Sequence, residues 1–237
     1  CPRPGRAPLK AQTLHSEPLA LENAVAQAWA QITAAKNPLI LAGVQLQRLG
    51  LTGLLQDLID ASGMLYTTTS LGKSVLAEQG NKFVGTYSDA ASLDSVRTLV
   101  QEADCILTLG TIITDDYLWF VENKFANMVL ATCEETRVGY FKYQGVTIKD
   151  FMQALVTRFK RSKAYPLATV APPQPRYPNP WAANNDPHQD ANPKTLTYNR
   201  FFQHSMKFLQ DHKLLDDIVM TYGVSSALYV ATNAYGL

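Results

Sequence analysis

The chain is poor in the residues from which covalent and metal-based scaffolds are built. It has three cysteines in 237 residues, Cys1, Cys105 and Cys133, an odd number without paired spacing, so no disulfide framework is expected. Cys105 opens an apolar run in which an inert, buried thiol is ordinary, and Cys133 lacks a CxxC partner, which together suit a reducing cytoplasm. The four histidines, His15, His188, His204 and His212, are scattered and suggest neither a triad nor a metal site. An excess of either charge is missing too: 21 basic against 20 acidic residues leave +1. Such a chain has no field to gather nucleic acid or anionic lipid. No apolar stretch approaches the roughly 20 residues that span a bilayer. With Pro2, Pro4 and Gly5 at its start, the chain also lacks the apolar core of a signal peptide. The expectation is a soluble, cytoplasmic protein without nucleic-acid or membrane partners.

What is present is a normal globular composition, 46% hydrophobic, enough for one or two domains. The first residue is Cys1 rather than methionine, and the last segment stops inside an apparent element, so both ends are expected to be cuts. Residues 1–18, broken by Pro2, Pro4, Pro8 and Pro18, read as a linker. Leu21, Val25, Trp29 and Ile32 then share a helical face. Asn37-Pro38 closes that helix and opens a strand at Leu39 to Ala42, stopped by Gly43. A second helix carries Leu51, Leu54, Leu55, Leu58 and Ile59 and closes at Ser62-Gly63 before a strand at Met64 to Thr68. Ser92 is the expected cap of a third helix, with Leu93, Val96, Val100 and Ala103 inward. It leads into the near-continuous apolar strand Cys105 to Leu109, a pattern of burial on both faces.

Met128 to Ala131 reads as a fourth strand and residues 138–143 as a short fifth. Thr147, three residues before Asp150, starts a helix with Ile148, Phe151, Met152, Leu155 and Phe159 inward, and Lys160, Arg161 and Lys163 at its end suit the helix dipole. Alternating units of this kind predict an α/β fold, a doubly wound and mostly parallel, Rossmann-like sheet over residues 19–163. Function then belongs at the carboxyl ends of the strands. Residues 164–195 hold eight prolines, a density no helix or sheet tolerates, and read as an extended linker. A second, truncated α/β unit over 196–237 is expected to begin with a helix at Tyr198 to Gln210, Phe201, Phe202 and Leu209 inward, and a strand at Ile218 to Thr221.

Four stretches carry a family resemblance. The run Pro38 to Gly50 (PLILAGVQLQRLG) resembles the first strand and turn of the middle domain of indolepyruvate, phenylpyruvate and pyruvate decarboxylases, the thiamine-diphosphate-dependent 2-oxo-acid decarboxylase family. Thr68 to Gln79 (TTSLGKSVLAEQ), followed by Val84 to Tyr87 (VGTY), is similar to that family's glycine-lysine turn, acidic residue and glycine-aromatic stretch. Asp104 to Asp115 (DCILTLGTIITD) resembles its next strand and loop, and Val146 to Leu155 (VTIKDFMQAL) its closing helix. The likeness covers residues 20–160. It also matches the proline-rich linker, and Asp217 to Ser226 (DIVMTYGVSS) resembles the opening strand and turn of the family's diphosphate-binding domain.

The resemblance implies a lyase that uses thiamine diphosphate and Mg²⁺ to decarboxylate a small 2-oxo acid, as a homodimer or homotetramer. It places the activating glutamate and paired histidines in a preceding domain and a Gly-Asp-Gly metal motif beyond Gly223; this chain has no Gly-Asp-Gly and no adjacent histidines. The chain itself is therefore expected to be a structural, non-catalytic fragment with no metal ligands. Asp115-Asp116 offers no further ligand at a recognisable spacing, and Glu134-Glu135 reads as solvated. Gly223, Ser225 and Ser226 either contact the cofactor or form an ordinary strand-to-helix turn capped by Ser225; Val224 and Thr221 depart from the family pattern there. Gly43, Gly72 and Gly110 follow predicted strands, where backbone amides can approach a nucleotide. Relatives with this domain hold FAD, ADP or nothing, and no GxGxxG fingerprint is present. Two readings of that cleft stand: a nucleotide-binding (FAD, ADP or coenzyme A) regulatory module, or a structural domain.

Overall fold

The computed structural model describes residues 14–78, 81–167, 196–214, 217–221 and 223. Most of the expected linkers 1–18 and 164–195 lies outside the described residues, as do Ser225 and Ser226.

The first helix, α1 (Pro18–Ala34), starts where the sequence supplies a cap and a stiff first turn. The Glu17 carboxylate accepts from the amides of Leu19 and Ala20, and Pro18 occupies a position whose missing N–H costs nothing. Ala24, Val25, Ala28 and Ile32 form its buried stripe. After it the chain turns into β1 (Pro38–Ala42), and the amides of Lys36 and Asn37 donate to the Asp104 carboxylate at 2.7 and 2.8 Å. The one-turn α2 (Gln45–Arg48) and α3 (Thr52–Ser62) follow. Gly63 ends α3 in the left-handed conformation (φ 69°), its amide donating to Ile59 O at 2.8 Å, the stop expected from Ser62-Gly63.

The remaining elements are β2 (Leu65–Thr69), β3 (Phe83–Tyr87), α4 (Asp94–Glu102), β4 (Cys105–Leu109), α5 (Leu118–Lys124), β5 (Met128–Ala131), β6 (Thr136–Val138), β7 (Phe141–Tyr143), α6 (Ile148–Arg161) and, separately, α7 (Tyr198–Asp211). The strands form one sheet in the order β3-β2-β1-β4-β5-β6-β7, parallel from β3 through β5 and antiparallel at β6 and β7. The expected α/β, Rossmann-like and mostly parallel architecture is what the chain adopts.

Each central strand alternates between two apolar layers. Ile40, Ala42, Leu107, Leu109, Val129 and Ala131 face a core completed by α1, α3 and α6, while Leu39, Leu41, Ile106, Met128 and Leu130 face a second core under α4 and α5. A strand apolar on both faces is the physical requirement of a sheet covered twice. Beyond α6, Tyr165 packs edge-on to Phe159, with centroids 4.7 Å apart, and Leu167 N donates to Ser62 O, so the start of the expected second linker is docked on the first core.

The structure corrects several expectations. β3 was not foreseen as a strand, because Gly85 interrupts its pattern. Gly85 adopts φ 116° where the pairing of β2 with β3 slips between Tyr66 and Thr68, and Thr67 Oγ1 donates to its carbonyl at 2.7 Å. The helical turns α2 and α5, too short to show a period, were not foreseen either. Residues 138–143 are not one strand but the end of β6, a two-residue turn with Gly139 at φ 54°, and β7. A glycine first in such a turn lets the strands fold back on each other, which makes this stretch antiparallel. Ser92 does not cap α4: its Oγ accepts from Ser88 N at 2.8 Å, and the helix starts two residues later behind Leu93.

In α7, Phe202, Met206 and Leu209 form the covered stripe, whereas Phe201, expected inward, is 53% exposed. One residue of displacement turns a side chain about 100° around a helix. Ile218 to Thr221 forms no strand: Val219 is 89% exposed, and no described strand offers its backbone a ladder.

Candidate functional site

In a sheet of order 3-2-1-4-5 the chain leaves β1 toward opposite sides, so the crevice between the carboxyl ends of β1 and β4 is the switch point where α/β proteins seat ligands. Gly43 and Gly110 stand at that point, with Gly72 beside them after β2. The structure brings all three expected glycines together, but against one another. A Cβ on Gly43 would lie 2.3 Å from Gly110 O and 2.4 Å from Thr111 Cα, and one on Gly72 would lie 2.7 Å from Ala42 O and 2.9 Å from Gly43 Cα. Gly110 is held at φ 60°, with Leu46 N 2.9 Å from where its Cβ would be.

Their amides are spent inside the chain. Gly43 N donates to Leu109 O at 2.8 Å, Gly110 N to Ala131 O at 2.7 Å and Gly72 N to Thr69 Oγ1 at 3.1 Å. A phosphate recognised by backbone N–H groups would find none of these three free. The glycines serve the approach of backbone to backbone, and a nucleotide cradle does not fit them.

Around this joint lie groups the sequence reading did not single out. The hydroxyls of Thr111, Thr108, Tyr87 and Ser70 are buried and find no hydrogen-bond partner among the described residues, each at or near the exit of β2, β3 or β4. Burial pushes the Tyr87 hydroxyl far above its usual pKa, with Asp89 and Tyr117 adding to the effect. Tyr117 Oη ties the exits together, accepting from Ser70 N and donating to Tyr87 O at 3.3 Å. On the turn after β2, Lys73 pairs with the buried Glu78 at 2.8 Å, and Ser74, at φ 63°, donates its amide to the same carboxylate. Threonines and serines placed directly after strand residues were the available signal, but nothing in one dimension separates an orphaned hydroxyl from a satisfied one.

The other candidates do not assemble. Asp115 and Asp116 are exposed on a 3-10 turn, and among the described residues no group of three or more His, Cys, Asp or Glu side chains is placed to hold a metal ion. Glu135 pairs with Lys142 at 2.8 Å, and Glu134 is exposed. Cys105 is buried and its thiol is pushed up to about 12 by burial, with Asp104 adding to the effect, so it is no nucleophile; Cys133 is exposed. His15 is exposed, and His212 stacks on Phe208 with centroids 4.0 Å apart. Gly223 is exposed, with no atom of the described residues within 4 Å of where a Cβ would be. No helix among the described residues is long and apolar enough to cross a membrane.

Comparison with known proteins gives this geometry a context. Residues 25–154 match the model of the thiamine pyrophosphate enzyme central domain. The chain is similar to an alpha-keto-acid decarboxylase of Mycobacterium leprae, 34% identical over 112 residues, which are 47% of this chain and 20% of that protein. It is 26% identical over 160 residues to an indole-3-pyruvate decarboxylase of Azospirillum brasilense, covering 63% of this chain and 29% of the relative. A pyruvate decarboxylase of Kluyveromyces marxianus is 30% identical over 199 residues, 83% of this chain and 33% of the relative. The chain thus spans a third or less of the length of these relatives. The domain match covers more than half of the 237 residues and takes in the sheet from β1 to β7 with the first half of α6, so the chain belongs to the thiamine pyrophosphate enzyme family, whose central domain it carries.

Proposed function

We propose that this chain is the central, non-catalytic part of a thiamine-diphosphate- and Mg²⁺-dependent decarboxylase of 2-oxo acids of the indolepyruvate, phenylpyruvate or pyruvate type. Thiamine diphosphate supplies the electron sink for loss of CO₂ in such chemistry. The domain's part is to brace the units that hold it, in a homodimeric or homotetrameric enzyme acting on a small 2-oxo acid. The observation that carries this reading is the glycine joint: in a domain of this family, the glycines at the strand exits lie against the chain's own backbone and their amides are bonded within it. The decarboxylase names of the relatives support the reaction class.

Residues 196–237 are the start of a diphosphate-binding unit in this reading, with Gly223 and Ser225 near the cofactor. The test is direct. A full-length protein containing this chain, supplied with thiamine diphosphate and Mg²⁺, should release CO₂ from at least one of pyruvate, phenylpyruvate and indolepyruvate, while the 237-residue chain should release none. Failure of the full-length protein on all three ends the proposal, and turnover by the chain alone ends its non-catalytic part.

A second reading, a module for FAD, ADP or coenzyme A, has one observation in its favour: the hydroxyl of the buried Thr111, without a partner among the described residues, lies beside the switch point. Saturable binding of any of these to the purified chain would restore it.

A further inference from the structure

The turn before α6 is closed by the residues that lead into α1. Thr147 caps α6 by accepting from Asp150 N at 3.2 Å, but the reciprocal half of a capping box, a side chain reaching back to the Thr147 amide, does not come from Asp150. Ser16, 131 residues away, supplies it: Thr147 N donates to Ser16 Oγ at 2.9 Å, and Ser16 Oγ also meets Thr147 Oγ1 at 3.3 Å. Asp150 is thereby released to accept from Ser16 N at 2.8 Å. One residue on, Glu17 N donates to Gly145 O at 2.9 Å, and the Glu17 carboxylate then caps α1. Two helices that pack on each other in the first core thus share one set of caps, strung along the residues that lead into α1.

We infer that Ser16 and Glu17 form a latch, which fasten the segment leading into α1 onto the amino end of α6 and fix the point at which any preceding chain meets the domain. The bonds are few, polar and partly solvated, and α6 keeps its own Thr147 cap and buried stripe without them, so the latch can open while the domain stays folded. Its closed state is cooperative. The Glu17 to Gly145 bond involves neither the Ser16 side chain nor Asp150, yet it forms only if the segment lies along the α6 turn.

Amide hydrogen exchange on the 237-residue chain tests this without reference to any activity. In the wild-type chain the Ser16, Glu17 and Thr147 amides should exchange at least tenfold more slowly than in an unstructured peptide of the same sequence. Ser16→Ala should speed all three by about tenfold, the Glu17 amide included, while amides inside α6 such as Leu155 and Val156 keep their protection. Ser16→Thr, which keeps the hydroxyl, should restore the slow rates. Asp150→Ala should speed the Ser16 and Glu17 amides likewise; if it also frays α6, Ser16→Ala alone decides. Unprotected Ser16 and Glu17 amides in the wild type, or a Glu17 amide indifferent to Ser16→Ala, would overturn the latch.

Discussion

Glycine carries opposite meanings at different positions of this chain. At Gly43 a methyl group would have to share space with Gly110 O, 2.3 Å away, and the obstacle is backbone that cannot swing aside. Gly43→Ala should therefore cost about 3 kcal/mol or more, or prevent folding, as read by urea denaturation. Gly53, in the first turn of α3, meets nothing within 4 Å, and Gly53→Ala should stabilise the chain by up to about 1 kcal/mol. Ser74 presents the converse case, a side chain held at φ 63°. Ser74→Gly should gain about 0.5–1 kcal/mol in the same assay, because its amide still reaches Glu78 and the left-handed strain disappears. A sequence shows each of these residues plainly. Which of them is squeezed and which is idle depends on neighbours such as Gly110 and Thr111, distant from Gly43 along the chain.

At the scale of elements, the caps decide how the chain responds to acid. Partial burial pulls the Asp104 carboxyl upward, but the amides of Lys36 and Asn37 and its own backbone outweigh it and hold the group below the ordinary carboxylate range. Asp150 behaves alike: burial raises it, and the hydrogen bonds from Ser16 and Thr147, with His15 nearby, bring it down. A carboxylate whose folded pKa lies below its unfolded value of about 3.9 contributes stability that is present above that value and is lost as pH falls through the folded one. Stability measured by urea should thus drop below about pH 4, less steeply in Asp104→Asn, which is weaker at pH 7 but has no such carboxylate to protonate. A cation does the corresponding work at the end of α4. Lys124 Nζ donates to Gln101 O and to Ala103 O, the latter at 2.8 Å, and burial lowers its pKa despite Asp104 nearby. Lys124→Met keeps the stem and abandons both carbonyls, and should cost about 1–3 kcal/mol.

Local signals served well where a helix carried its own punctuation, as at Thr147 and at Ser62-Gly63. They failed where the deciding partner was distant. Ser92 looks like a cap and instead binds the Ser88 amide; Gly85 looks like a break and instead forms a bulge against β2; residues 138–143 hide a turn that only strand pairing reveals.

For the whole molecule, the question is whether the switch-point crevice takes a ligand. With the amides of Gly43, Gly72 and Gly110 committed within the chain, titration of the purified protein with ADP, FAD and coenzyme A should give no saturable heat. Saturable binding that disappears in Thr111→Val would instead assign the orphaned hydroxyl to a nucleotide and remove the bracing role. The sequence by itself determined the layered α/β class and the family, because apolar periodicity and short motifs are properties of neighbours along the chain. Only the tertiary structure decided that three strand-exit glycines close on one another, and that Ser16 completes the cap of a helix 131 residues away. Contacts of that range are set by how the sheet stacks its strands, and distance through the fold is not written in distance along the chain.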